Sequence, residues 1–265
     1  MATKSIEFTV NNSSTFTSYL KKFISIDKST LLEIDLDKSK FISKSSNEER
    51  SVVKYSSLSF SEANFDLKTK SKIRIKIGIY NISRLIKIID QFIGEFQFIV
   101  KYDEVINNNQ TEYAGTSIIL SNTGLKFANE CTSLSIFKYI SDELYETKIH
   151  KIDNLVSFEF NKETIEKIRT FCDLDKEYKL IEFINKNGNL YVKGKSFEYL
   201  ILSSSDNNIR IPFYKDQFDK LDSENYNLII GSDRVLFTSL DTSTEITISK
   251  VEANDNYEET VTDQF

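Results

Sequence analysis

A chain of 265 residues, 40% hydrophobic and 12% aromatic, can fill the cores of two ordinary domains, which excludes a disordered protein. Its net charge of −6 is wrong for a protein that coats nucleic acid over its whole surface, so any such contact must be confined to one basic face. The sequence holds no run of about eighteen apolar residues and no apolar leader core at Met1–Glu7, so neither a membrane span nor secretion is expected and the chain reads as cytoplasmic.

In chain order, strands alternate with short amphipathic segments. Ile6-Glu7-Phe8-Thr9-Val10 alternates apolar and polar residues, the period of a half-buried strand. Ser13–Ile24 follows, with Phe16, Leu20, Phe23 and Ile24 on one helical face. Strands Leu31–Ile34 and Phe41–Ile42 flank a turn at Asp37-Lys38-Ser39. A second cycle begins at Ile73-Arg74-Ile75-Lys76-Ile77, continues into a helix over Asn81–Phe92 with Ile82, Leu85, Ile86 and Ile89 as its stripe, and ends in strands around the turn Asn122-Thr123-Gly124. Residues 103–116 read as an insertion in this cycle, and Ser141–Asn154 as a polar connector. The third cycle runs through Val156–Phe160, a helix over Asn161–Cys172 capped by Asn161 with Ile165, Ile168 and Cys172 inward, and a hairpin at Asn187-Gly188. The fourth has Ile209–Phe213, a short helix at Tyr214–Leu221 resting on Phe218 and Leu221, and strands about Gly231-Ser232-Asp233. Four strand-helix-strands units make an α+β chain of two similar domains, each with helices on one face of antiparallel sheets. The boundaries expected are 1–141 and 155–252 for the domains, 142–154 for the connector and 253–265 for an acidic tail.

Charge is distributed unevenly. The four helical segments together carry +4, which leaves −10 for the remainder of a chain of −6. Lys21, Lys22, Arg84, Lys87, Lys162, Lys167, Arg169 and Lys215 lie in these segments and face away from the apolar stripes. Lysines on a solvated helix face are ordinary, so the weight falls on the asymmetry across segments.

This layout resembles the sliding clamp family, most closely the clamps of tailed bacteriophages. The likeness is strongest in the strand-turn-helix run Ile73–Ile88 with its Tyr80-Asn81-Ile82 turn, and in Asn225–Ile230 through Ile246–Val251. The resemblance implies the DNA clamp fold and a non-enzymatic processivity factor that encircles duplex DNA without sequence preference. Two domains per chain then imply a homotrimeric ring, with the eight cations lining the hole. It also implies a DNA polymerase and a clamp loader as partners. Their tails would enter a pocket assigned to Leu144, Tyr145, Ile149 and Val251. Paired edge strands would join subunits, mapped here to Leu134–Tyr139, with Leu134 and Ile136, and to Phe197–Leu202, with Phe197, Tyr199 and Ile201.

Motifs for catalysis are missing: the sequence contains no P-loop, GxGxxG, GxSxG or HExxH, so neither an enzyme nor a cofactor is expected. Cys131, Cys172 and the single His150 are too few soft ligands for structural zinc, and the two thiols are expected to be buried and reduced. Two other readings stay open. One is a β-rich virion or interaction protein; the other is a single-strand binder using Tyr55, Phe60 and Phe65 near Lys54 and Lys68.

Overall fold

The computed structural model describes residues 4–68, 71–107, 110–137, 139–174, 179–203 and 208–251; the acidic tail expected at 253–265 lies outside them. The chain divides into two compact units. The first comprises Met1–Ser46 with Lys54–Ile140, and the second Asn47–Val53 with Ser141 onward.

In the first unit, β1 (Lys4–Val10), α1 (Ser14–Ile24), β2 (Thr30–Asp35), β3 (Lys40–Ser46), β4 (Val52–Ser59) and β5 (Phe65–Leu67) form one cycle. The next cycle is β6 (Arg74–Ile79), α2 (Ile82–Ile89), β7 (Phe96–Asn107), β8 (Gln110–Ser121) and β9 (Lys126–Glu130). The strands hydrogen-bond in the order β4-β3-β2-β6-β8-β7-β1-β5, with β9 also on β8. Pairing is antiparallel apart from a short parallel contact of β6 with β8 at Ile75–Tyr113 and Lys76–Ala114.

Alternation decides which side is core. Ile75, Ile77 and Ile79 of β6 point into a cluster with Phe8, Phe98 and Leu120. The helices close the same side: α1 contributes Phe16, Leu20 and Phe23, and α2 contributes Ile82, Leu85, Ile86 and Ile89. Ile24 departs from expectation and is exposed, while Tyr19 is buried in its place. Phe60 and Phe65 sit edge-on to Phe8 at 5.1 and 5.6 Å inside this core.

The opposite face of this sheet is polar. Glu33 is buried and receives Lys44 at 3.6 Å and Arg74 at 3.1 Å, and Arg74 also bonds Asp35 at 2.8 Å. Buried charges persist only when paired, and here the pairing anchors a strap that crosses the face. Thr132 donates its N–H to Gly78 O at 2.9 Å, and Lys44 Nζ donates to Ile140 O at 3.1 Å. Gly78 is required by this close approach, because a Cβ there would stand 2.3 Å from Thr132 O.

The second unit opens with a short helix, α3 (Asp142–Leu144), running into a π-helical turn at Tyr145–Ile149, so part of the expected connector is helical. Then come β10 (Val156–Phe160), α4 (Lys162–Leu174), β11 (Leu180–Lys186), β12 (Asn189–Lys193) and β13 (Glu198–Ser203). The last cycle is β14 (Arg210–Tyr214), α5 (Lys215–Phe218), β15 (Tyr226–Ile230), β16 (Arg234–Ser239) and β17 (Thr244–Ser249). Its strands pair as β10-β15-β16-β17 and as β13-β12-β11-β14. Phe160 is the hub of the core, with Phe183, Phe218 and Phe237 rings 5.9–6.5 Å away. Asn187 and Gly188 both take positive φ, 53° and 76°, as the tight β11–β12 turn demands. The insertion expected at 103–116 is an extension of the β7–β8 hairpin.

Candidate nucleic-acid interface

Each helix is built so that its cations cannot enter the core. Asn81 Oδ1 accepts the Arg84 N–H at 2.8 Å, and Asn161 Oδ1 accepts the Thr164 N–H at 2.8 Å; these caps start α2 and α4 in fixed registers. With the apolar stripes inward, Lys21, Arg84, Lys87, Lys162 and Lys167 are exposed, while Lys22, Arg169 and Lys215 are half-buried. α1 and α2 contain no acidic residue, so the basic bias is concentrated in the first unit.

The eight candidates differ in what already holds them. Lys21, Arg84, Lys87 and Lys167 make no ion pair among the described residues. Lys162 is 3.7 Å from Glu166, one turn along α4. Arg169 is a strut: its guanidinium donates to Leu221 O at 2.5 Å and Ser223 Oγ at 3.1 Å, tying α4 to the loop after α5. Lys215 bonds Asp173 at 2.5 Å, and that bond raises its ammonium above the usual lysine range. Spacing alone could not separate these roles, because Asp173 and Leu221 are brought to the cations by tertiary packing.

One cation beside this face, and its pairing with Tyr80 of the turn before α2, escaped the sequence reading. Lys28 Nζ stands 5.6 Å from the centroid of exposed Tyr80, and Lys28 O accepts the Ile82 N–H that opens α2. Lys54, which the sequence places near candidate base-stacking aromatics, is fully buried and donates to Lys22 O at 2.7 Å at the end of α1. With Phe60 and Phe65 also in the core, the aromatic groove of a single-strand binder is not formed by these residues.

The proposed partner residues are dispersed in role. Leu144 is exposed and Ile149 half-buried, but Tyr145 is buried with its hydroxyl bonded to Glu245. His150 Nδ1 lies 3.0 Å from the same carboxylate, a partner the sequence does not reveal. Val251 is half-buried and its N–H bonds Pro212 O at 2.9 Å. No group of three or more His, Cys, Asp or Glu able to hold a metal occurs among the described residues. None of the helices among them is long and apolar enough to cross a membrane.

The edge strands require one correction. Leu134–Ile136 is a 3₁₀ turn rather than a strand, because Ser133 Oγ caps it and Thr132 has already turned to bond Gly78. The strand at that margin is β9, which pairs with β8 alone among the described strands. In the second unit β13 does occupy an edge and pairs with β12 alone. Phe197 and Tyr199 pack on Phe171 of α4 at 5.4 and 5.9 Å, and Ile201 is half-buried. Neither cysteine forms a disulfide; Cys172 is buried and Cys131 only partly, though burial still pushes the Cys131 thiol up to about 12.

No protein-family model and no curated protein matches the chain. Solved structures do. The DNA polymerase III beta chain of Streptococcus pneumoniae superposes with a TM-score of 0.65 at 10% identity, covering 98% of this chain and 69% of that one. A DnaN sliding clamp of Pseudomonas aeruginosa gives 0.61 at 9% identity, covering 99% and 69%. The proliferating cellular nuclear antigen of Entamoeba histolytica gives 0.63 at 12% identity, covering 93% and 98%. These matches extend over both of the chain's units, in which strand, helix and strands repeat with the helices on the core side of the sheet. The chain has the sliding-clamp fold.

Proposed function

We propose that this chain is a DNA sliding clamp subunit, a non-enzymatic processivity factor of the kind found in tailed bacteriophages. Three copies close into a homotrimeric ring around duplex DNA. The observation that carries the reading is a clamp fold spanning nearly the whole chain whose helices present unpaired cations on an otherwise acidic protein. Lysine-rich contacts with phosphate exchange readily, so a ring lined by them slides, and closure rather than affinity retains it. Edge pairing of β9 from one copy with β13 of the next joins the subunits.

The partners proposed are a DNA polymerase and a clamp loader. A Helicobacter pylori beta clamp has been solved with a DNA ligase peptide, and an A. fulgidus nuclear antigen with the C-terminal region of FEN-1. By analogy, peptide tails of replication proteins dock on this chain near Leu144, Ile149 and Val251. The test is topological. Three chains of 30.7 kDa make an assembly of about 92 kDa. Once loaded, it should persist on circular duplex and run off linear duplex; equal loss from both defeats the reading.

A further inference from the structure

On the polar face of the first unit lies a groove of about 700 Å3. Leu31, Ala114 and Leu134 line it, Lys76 and Glu112 pair across 2.7 Å within it, and Val105 and Ile106 of the extended β7–β8 hairpin wall it. Burial draws the Lys76 ammonium down, but the hydrogen bond to Glu112 and the electrostatic pull of Tyr139, Glu112 and Glu33 together outweigh it and hold the ammonium above the usual lysine range. Ile106 is 81% exposed, which is costly for an isoleucine on a free hairpin. Cys131–Ser135, which also line the groove, continue directly from β9, whose second edge pairs with no other described strand.

A matching element exists in the second unit. On β13, Tyr199 turns toward Phe171 of α4, so the next residue, Leu200, points from the opposite face, away from the helices, and is 46% exposed. The groove is also on the face away from its helices, since Lys76 alternates with core-facing Ile75 and Ile77. When two sheets join edge to edge, residues of like face stay on one side of the combined sheet. We infer that the groove receives Leu200 from the β13 edge of a second copy of this chain. The hairpin extension is thus a clasp that buries apolar surface beside the β9–β13 backbone pairing. This rests on the ring reading and adds to it a side-chain lock that the edge strands alone do not supply.

The test follows assembly of the full chain by native mass and sedimentation on dilution. Ile106→Asp and Leu200→Asp each place a charge at the contact and should raise the concentration at which the trimer dissociates by about tenfold or more. Ile93→Asp, at a residue 90% exposed in the loop between α2 and β7, should assemble like wild type. In a Cys131→Ala background, which removes the thiol native to the groove, oxidation of the two thiols of Ile106→Cys/Leu200→Cys by diamide should link neighbouring chains covalently, and neither single variant should do so. Wild-type assembly of Ile106→Asp or Leu200→Asp, or an assembled double variant that yields only unlinked chains, overturns the clasp while leaving the ring intact. A wild-type chain that stays monomeric overturns both.

Discussion

Replacing Lys21, Arg84, Lys87 and Lys167 together by alanine removes the four candidate cations that no carboxylate of the described chain holds. Each phosphate contact on duplex DNA releases about 0.9 counterion, so four contacts per chain contribute at most about 3.6, and those of a three-chain ring at most about 11, to the slope of log affinity against log salt. The measurable slope should fall by that much or less, and loaded rings should support shorter primer-extension products as salt rises. Stability should change by no more than about 0.5 kcal/mol, since exposed unpaired side chains contribute little. Arg169→Ala makes the contrast. It breaks the bonds to Leu221 O and Ser223 Oγ, at 2.5 and 3.1 Å, and should cost about 1–3 kcal/mol in urea denaturation. A four-site variant with wild-type product length and an unchanged salt slope would show that these helices do not face DNA. A four-site variant as destabilised as Arg169→Ala would refute the division into free and structural cations.

Two further outcomes test the strap across the first sheet. Gly78→Ala puts a methyl 2.3 Å from a backbone oxygen and 2.6 Å from the Phe137 ring, so the strap must lift; a loss of about 1–3 kcal/mol and faster hydrogen exchange at the Thr132 amide are expected, and unchanged stability would refute the seating. Cys131, raised from 9.0 to about 12, should carry about a thousandfold less thiolate than an ordinary cysteine at pH 8 and alkylate correspondingly slowly until the chain is unfolded. Because its neutral form is favoured by folding, stability should decline as pH rises from 9.0 toward 12, and Cys131→Ala should remove that part of the decline.

Local periodicity was enough to place most elements. The strand at Val156–Phe160, the stripe Ile82, Leu85, Ile86 and Ile89, the Asn161 cap and the Asn187-Gly188 turn all follow from side-chain alternation, helical spacing and the residues that tolerate positive φ. These are short-range constraints, and the chain states them within a few residues. The excess of cations on helices was equally legible, because it is a sum over segments. Tertiary structure decided which cations are free. Asp173 reaches Lys215, and Leu221 O reaches Arg169, over separations of 42 and 52 residues that no local pattern encodes. It also decided that the margin of the first unit is β9 and not Leu134–Tyr139. Residues after Thr132 alternate well enough for a strand, but the buried charges of Glu33 and Lys44 and the bare backbone of Gly78 draw them across the sheet as a strap.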